Sequence, residues 1–267
     1  MSFKIHHLNC ASMCPWSGKL APNVFPSQVI CHCLLVESDK SLVLVDTGLG
    51  VLDHENPGRL GVMGHFLGLK QNPAQAAIAQ IRALGFSPED VRHIIPSHLD
   101  LDHAGGIVDF PWATVHLLRA EHHAALVSRK FMHTQRYRQC QWSPDTKWKV
   151  YKQHEGEPWF GFETVQALVG LPPEILILPL PGHTSGHVGV AIQNGAKWVL
   201  HAGDSYYDQN EVQGDGPVIV GWKIFQRIVH EDHELAMKNQ KRLRKLMREH
   251  AAEVEIFCSH DPKTCHC

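Results

Sequence analysis

The stretch SHLDLDHAGG, residues 97–106, sets four potential metal ligands within six positions: His98, Asp100, Asp102 and His103. Imidazole nitrogens and carboxylate oxygens are ordinary ligands of divalent transition metals, and a metal held by them activates water for hydrolysis. In an extended chain residues 98 and 100 point the same way and can share one ion. Asp102 and His103, where the chain turns into AGG, can face a second, and the glycines permit a tight turn and close backbone approach. Four further stretches end an apolar run on a histidine or an aspartate: DTG (Asp46), PGHTSGH (His183), HAGD (Asp204) and SHD (His260). A chain with 21 histidines has an excess of this ligand type.

The elements that must position these residues are legible around them. Residues 29–46 read as a β-hairpin around the polar turn Ser38-Asp39-Lys40, ending in DTG. Asn72 and Pro73 supply an N-cap and a first helical residue, and AQAAIAQIRALG runs with helical spacing to Gly85. Ser87-Pro88-Glu89-Asp90 opens a short helical turn. VRHIIPSH is a buried strand delivering His98 to a loop, ATVHLL (113–118) is the next strand, and RAEHHAAL a helix. EILILPL is followed by the hairpin HVGVAIQNGAKWVLHAGD, turning at Asn194-Gly195. LAMKNQKRLRKLMREH is a helix with Leu243, Leu246 and Met247 on its apolar face and a solvated basic face opposite. VEIFCSHD is a last strand. Strand ends are where a rigid sheet can gather residues distant in sequence. Between residues 128 and 174 periodicity dissolves into an aromatic and basic stretch, expected as a loop or lid insertion within a single domain covering residues 1–267.

Composition narrows the function classes. With 43% hydrophobic and 19% charged residues and a formal net charge of −2, nothing asks for nucleic acid or a membrane. The opening MSFKIHHLNC lacks the apolar run of a signal peptide, so a soluble, cytoplasmic protein is expected. The eight cysteines contain no C-x-x-C pair and are expected as reduced, packed thiols. His6-His7, His122-His123 and HEDH (230–233) are expected on polar faces, the last on a helix without a third ligand.

HLDLDHAGG, PGHTSGH, GDSYYD and SHD, in this order, resemble the metallo-β-lactamase superfamily, whose motif is H-x-H-x-D-H followed by separate His, Asp and His ligands. They are most similar to its N-acyl homoserine lactonase branch. The resemblance spans nearly the whole chain and implies an α/β fold, a four-layer αββα sandwich with a two-metal site at one sheet edge. It implies that His98, Asp100 and His183 hold the first metal, that Asp102, His103 and His260 hold the second, and that Asp204 bridges them. Asp46 matches the aspartate that supports such a site from behind its ligands.

The implied reaction is hydrolysis of a lactone or carboxylic ester through attack of a hydroxide shared by two divalent ions. Zinc is the first expectation, with manganese or iron admitted by the carboxylate of Asp100. Asp102 would pass a proton to the leaving oxygen, and Tyr207 matches the lactonase tyrosine that hydrogen-bonds the substrate carbonyl. Trp16, Phe66, Leu101 and the aromatic segment from Phe131 to Trp159 are candidates to line an apolar pocket for a small-molecule substrate. A thioester hydrolase of the glyoxalase II type shares PGHTSGH but keeps histidine at position 100 and adds a glutathione-binding region not recognised here. A phosphodiesterase would use the same metals but finds no basic surface. A non-enzymatic metal-binding protein rests on Asp100 alone. Asp100 is the departure from the pattern: three carboxylates in place of two lower the positive charge of the site, so its water should be less acidic than in a histidine-bearing relative.

Overall fold

A strand covered on both faces needs apolar residues at nearly every position, and VICHCLLVE, interrupted by His32 and ended by Glu37, is such a run. In the computed structural model, which describes residues 3–38, 41–61, 64, 67–214 and 216–265, this run is the second strand of a first sheet. Asp39 and Lys40 of the expected turn, Phe66 of the expected pocket and the last two residues of the terminal CHC lie outside the described residues.

The described residues form two six-stranded sheets. The first has the order β1 (Lys4–Met13), β2 (Val29–Glu37), β3 (Leu42–Val45), β4 (Val91–Ile95), β5 (Thr114–Leu118), β6 (Lys147–Tyr151). Its pairings are antiparallel from β1 to β3 and parallel from β3 to β6. The second sheet runs, from its other edge, β7 (Glu157–Trp159), β8 (Phe162–Ala167), β9 (Ile175–Pro179), β10 (Val188–Asn194), β11 (Lys197–His201), β12 (Val254–Phe257). Here only β11 and β12 pair in parallel.

Side-chain alternation divides the burial into layers. Leu34 and Val36 of β2, Val43 and Val45 of β3 and Ile95 of β4 meet Ile175, Ile177, Val188, Val190 and Ile192 between the sheets. The opposite face of the first sheet, with Cys31, Cys33, Leu35, Leu42 and Leu44, packs on Ile78 and Ile81 of the helix Ala77–Ala83. The opposite face of the second sheet, with Leu178, Ala191, Leu200 and Ile256, packs on Leu243 and Leu246 of the helix His233–His250. The layer order is helix, sheet, sheet, helix: the expected αββα sandwich in one domain.

Local signals account for the element ends. Asn72 caps a short 3₁₀ turn through its side chain, which accepts from the Ala74 amide, and Gly85 follows the next helix with φ 88°. Gly195 turns the β10–β11 hairpin at φ 65°. Two expectations need correction. Most of the segment 128–174 is not an insertion: β6, β7 and β8 lie in it and extend both sheets, while Tyr137 and Trp142 are core residues. Of HEDH only His233 lies on a helix, as its first residue: Asp232 caps that helix by accepting from the Leu235 amide, and His230 to Asp232 form the turn before it. No helix among the described residues is long and apolar enough to cross a membrane.

Candidate metal centre

The five strand ends singled out in the sequence meet at one edge of the sandwich. Asp46 follows β3 directly; His98 follows β4, His183 follows β9, Asp204 follows β11 and His260 follows β12, each by three or four residues. Because β3 and β4 run in parallel, as do β11 and β12, their carboxyl ends open on the same side. Asp102 and His103 sit on the short helix Leu101–Ala104, with Asp100 just before it and its side chain not used as a cap.

Two close backbone approaches bring these loops together. A Cβ on Gly105 would stand 2.8 Å from the Gly48 carbonyl oxygen, so the AGG turn fits against DTG only with glycine there. Gly203 has φ 54°, and a Cβ on it would lie 2.5 Å from His187 Nε2. His187 Nε2 in turn accepts from the Asp204 amide at 2.9 Å. Glu121, buried on RAEHHAAL, accepts from the Leu99 amide (2.9 Å) and from the Thr184 hydroxyl (2.6 Å), tying two ligand loops to one carboxylate.

The ligand atoms form three overlapping groups: His98, Asp100, His183; His98, His103, Asp204; and Asp102, His103, His260, each within 4.8 Å. His98 Nε2 is 3.1 Å from His183 Nε2 and 3.3 Å from Asp100 Oδ2, which is 3.1 Å from His183 Nε2. His103 Nε2 and His260 Nε2 are 3.3 Å apart, and Asp204 Oδ1 stands 3.2 and 3.1 Å from them. Atoms bound tetrahedrally to one zinc ion at about 2.1 Å stand roughly 3.4 Å apart, so these spacings suit a shared cation. Asp204 Oδ2 lies 3.2 Å from His260 Nε2 and 3.5 Å from His183 Nε2, so the carboxylate stands between the two groups.

Behind the ligands, partners turn each imidazole the same way. His103 Nδ1 donates to Asp46 Oδ2 at 2.9 Å, and His260 Nδ1 to the Ile30 carbonyl at 2.7 Å. Asp46 also accepts from the Ser97 amide and hydroxyl, and the Ser97 oxygen stands 3.0 Å from His98 Nδ1. His183 Nδ1 faces the Tyr207 hydroxyl at 3.2 Å, and that hydroxyl donates to Asp204 Oδ2 at 3.0 Å. All four Nε2 atoms therefore point into the cluster. Asp204 Oδ1 is buried without an aligned donor, an acceptor left for a cation.

Charge follows the same pattern. Burial raises the Asp46 carboxyl, but His103 outweighs it and holds the group at about 2. Against burial, Asp204, Asp46 and Asp102 raise His103 well above the usual imidazole range, and Asp204 raises His260. The carboxylates thus draw a positive charge onto these imidazoles, which a metal would supply in place of protons. The residues present fit a pair of divalent cations.

All seven expected ligands lie in this cluster; of the two expected catalytic residues, Asp102 is one of the seven and Tyr207 lies beside it. Asp102 is the looser member, 3.7 Å from His260 Nε2 and 3.9 Å from His103 Nε2. Tyr207 is buried, stacked on Trp222 (5.1 Å) and His260 (5.5 Å). The expected pocket residues separate: Tyr137 and Trp142 are core, while Trp16 and Phe131 are 54% and 75% exposed. Sequence reasoning missed three groups. His230 is buried with its ring 5.5 Å from that of His183, and Glu121 shows no periodic signal for its role. The third, Arg136, ends the helix Phe131–Arg136 and donates Nε to Asp100 Oδ1 (2.5 Å) and Nη2 to Asp100 Oδ2 (2.6 Å). It corrects the expected charge: one guanidinium restores the positive charge that the third carboxylate removes.

The chain belongs to the metallo-beta-lactamase superfamily, whose family model matches residues 27–249, and with it to the metal-dependent hydrolases. A probable metallo-hydrolase of Mycobacterium tuberculosis is 39% identical over 259 residues, 97% of this chain and 80% of that protein. An N-acyl homoserine lactonase of Bacillus thuringiensis is 29% identical over 235 residues, 86% of this chain and 80% of that protein. Among solved structures, an N-acyl homoserine lactone hydrolase with N-hexanoyl-L-homoserine at its catalytic metal center shares the fold. Its TM-score is 0.72 at 23% identity, covering 98% of this chain and 95% of the other.

Proposed function

We propose that the protein is a dinuclear metal-dependent hydrolase that opens a lactone or carboxylic ester. The observation that carries this reading is Asp204, which lies between the two ligand groups, within 3.2 Å of His103 and His260 and 3.5 Å of His183. The substrate class is supported by the lactonase similarity. His98, Asp100 and His183 would hold one ion, Asp102, His103 and His260 the other, with Asp204 shared. Two such ions would supply an acidified water and a positive charge opposite a carbonyl oxygen.

The chain's own groups then have distinct tasks. Asp46 and the Ile30 carbonyl keep His103 and His260 with Nε2 inward. Asp102 stands farthest from the imidazoles and, unlike Asp100, is not held by an arginine among the described residues, so we assign it the transfer of a proton to a leaving alkoxide. Tyr207 links His183 to Asp204, and to donate to a substrate carbonyl it must release Asp204 Oδ2. We assign it the orientation of both ligands, with substrate contact following only if that bond opens.

The test is metal analysis of protein purified without added metal, combined with lactone, carboxylic ester, thioester and phosphodiester panels. Up to two transition metals per chain are expected, with turnover of lactones or esters. His103→Ala or His260→Ala should remove one metal. Metal-free wild-type protein with undiminished hydrolysis would overturn the reading.

A further inference from the structure

The first ligand group differs from the second in having a built-in cation. Arg136 reaches it from the helix Phe131–Arg136, and its three nitrogens are all engaged. Nε and Nη2 take the two oxygens of Asp100, and Nη1 donates to the Val229 carbonyl at 2.8 Å. Nη2 also lies 2.7 Å from His183 Nε2. Both charged side chains are only 17% exposed. An arginine fork of this kind fixes a carboxylate in plane as well as in charge.

The bonds divide into two sets. Nε to Oδ1 and Nη1 to Val229 engage atoms outside the His98–Asp100–His183 triangle and anchor the guanidinium. Nη2 faces Asp100 Oδ2 and His183 Nε2, the two atoms that a cation in the triangle would need. His183 Nε2 has one lone pair, so an ion bound there replaces the Nη2 contact while the anchoring bonds remain.

We propose that Asp100 and Arg136 form one compensated unit, an aspartate–arginine pair standing where the superfamily pattern has a single neutral histidine. Arg136 is a positioning residue: it turns Asp100 Oδ2 toward His98 and His183 and offsets the carboxylate charge. The inference rests on the two-metal reading of the site.

The pair has a consequence that a merely structural ion pair lacks. Asp100→His recreates the common ligand pattern, yet it strands a buried guanidinium beside His183, and like charges repel strongly at such short range. The restored histidine should therefore bind the first metal worse, and deleting the stranded charge should rescue it.

The test is a double-mutant cycle of wild type, Asp100→His, Arg136→Met and Asp100→His/Arg136→Met, each stripped of metal and reloaded with zinc or cobalt(II). Stoichiometry and affinity are read against a chromophoric chelator, and the cobalt d–d spectrum reports the ligand set. Circular dichroism checks folding. Asp100→His should bind one of its two metals at least tenfold more weakly than wild type. The double variant should recover that affinity to within about threefold, with a d–d spectrum shifted by nitrogen in place of oxygen. Asp100→His/Arg136→Lys, which keeps the charge, should stay weak. A fully loaded Asp100→His, or a double variant no better than the single one, overturns the pairing while leaving the two-metal reading intact. Wild-type protein that binds no metal overturns both. If Asp100→His does not fold, Arg136→Met decides alone: without the guanidinium the first group should favour manganese over zinc severalfold more than wild type, and an unchanged ratio overturns the proposal.

Discussion

At the scale of single residues, much of the candidate site is built by groups that touch the proposed ligands rather than serve as ligands. Asp46 is the clearest case, since it accepts from Ser97 and from His103 and leaves the His103 lone pair no direction except inward. Asp46→Asn keeps the size but weakens the acceptor. It should lower metal affinity about ten- to a hundredfold, as substitutions behind metal ligands do, measured by chelator competition at constant pH. Tyr207→Phe removes the hydroxyl between His183 and Asp204. Turnover of a lactone at saturating metal should fall by about ten- to a hundredfold, and metal should be released more readily to a chelator. Unchanged kinetics with unchanged metal retention would leave Tyr207 as a packing residue between Trp222 and His260.

At the scale of elements, the parallel half of the first sheet is stitched by a buried polar chain. His93 of β4 meets His116 of β5 at 2.9 Å, His116 meets the Tyr151 hydroxyl of β6 at 2.9 Å, and that oxygen accepts from the Val169 amide at 3.0 Å. The bond between the two rings holds a single hydrogen, so the two imidazoles cannot both be protonated. Burial, followed by His93 and Lys149, depresses His116 from 6.5 to about 3. A depressed histidine contributes its full stability above the unfolded value and loses it as pH falls toward the folded one. Between pH 6.5 and about 3 the unfolded chain takes up a proton that the folded chain refuses, at about 1.4 kcal/mol per pH unit. Urea midpoints measured from pH 7 to pH 5 should therefore fall less steeply for His116→Asn than for wild type. Equal slopes would mean that His116 titrates normally in the fold.

At the scale of the whole molecule, the two sheets meet at the candidate metal site from opposite sides: Asp46, His98 and His103 come from the first, His183, Asp204 and His260 from the second. Ions held there would cross-link the halves of the sandwich, and binding only to the folded state stabilises it by mass action. Stripping metal with a chelator should lower the unfolding temperature on the order of ten degrees, given about 4 kcal/mol at a thousandfold excess over the dissociation constant. Adding back zinc or manganese should restore it. A melting curve indifferent to chelator would show that the cluster is held by its hydrogen bonds alone.

What the chain alone determined was the layers and which histidines and aspartates gather at the candidate metal site. The ligands cluster in short stretches at strand ends, and the sheets' two-sided burial leaves continuous apolar runs, so both are recorded within a few residues of sequence. β6 to β8 were hidden because KWKVY and EPW are short strands toward the sheet edges, half-exposed and without an apolar run to mark them. The orientation of the imidazoles was only partly legible: the resemblance implied Asp46 behind the ligands, but which imidazole it holds was not, since Asp46 and His103 are 57 positions apart and meet only when β3 and β4 pair. Only the tertiary structure brought Arg136 to Asp100. No local pattern encodes that meeting: it depends on where the helix Phe131–Arg136 ends against the turn that follows β4, and it changed the charge of the site from the one the ligands alone imply.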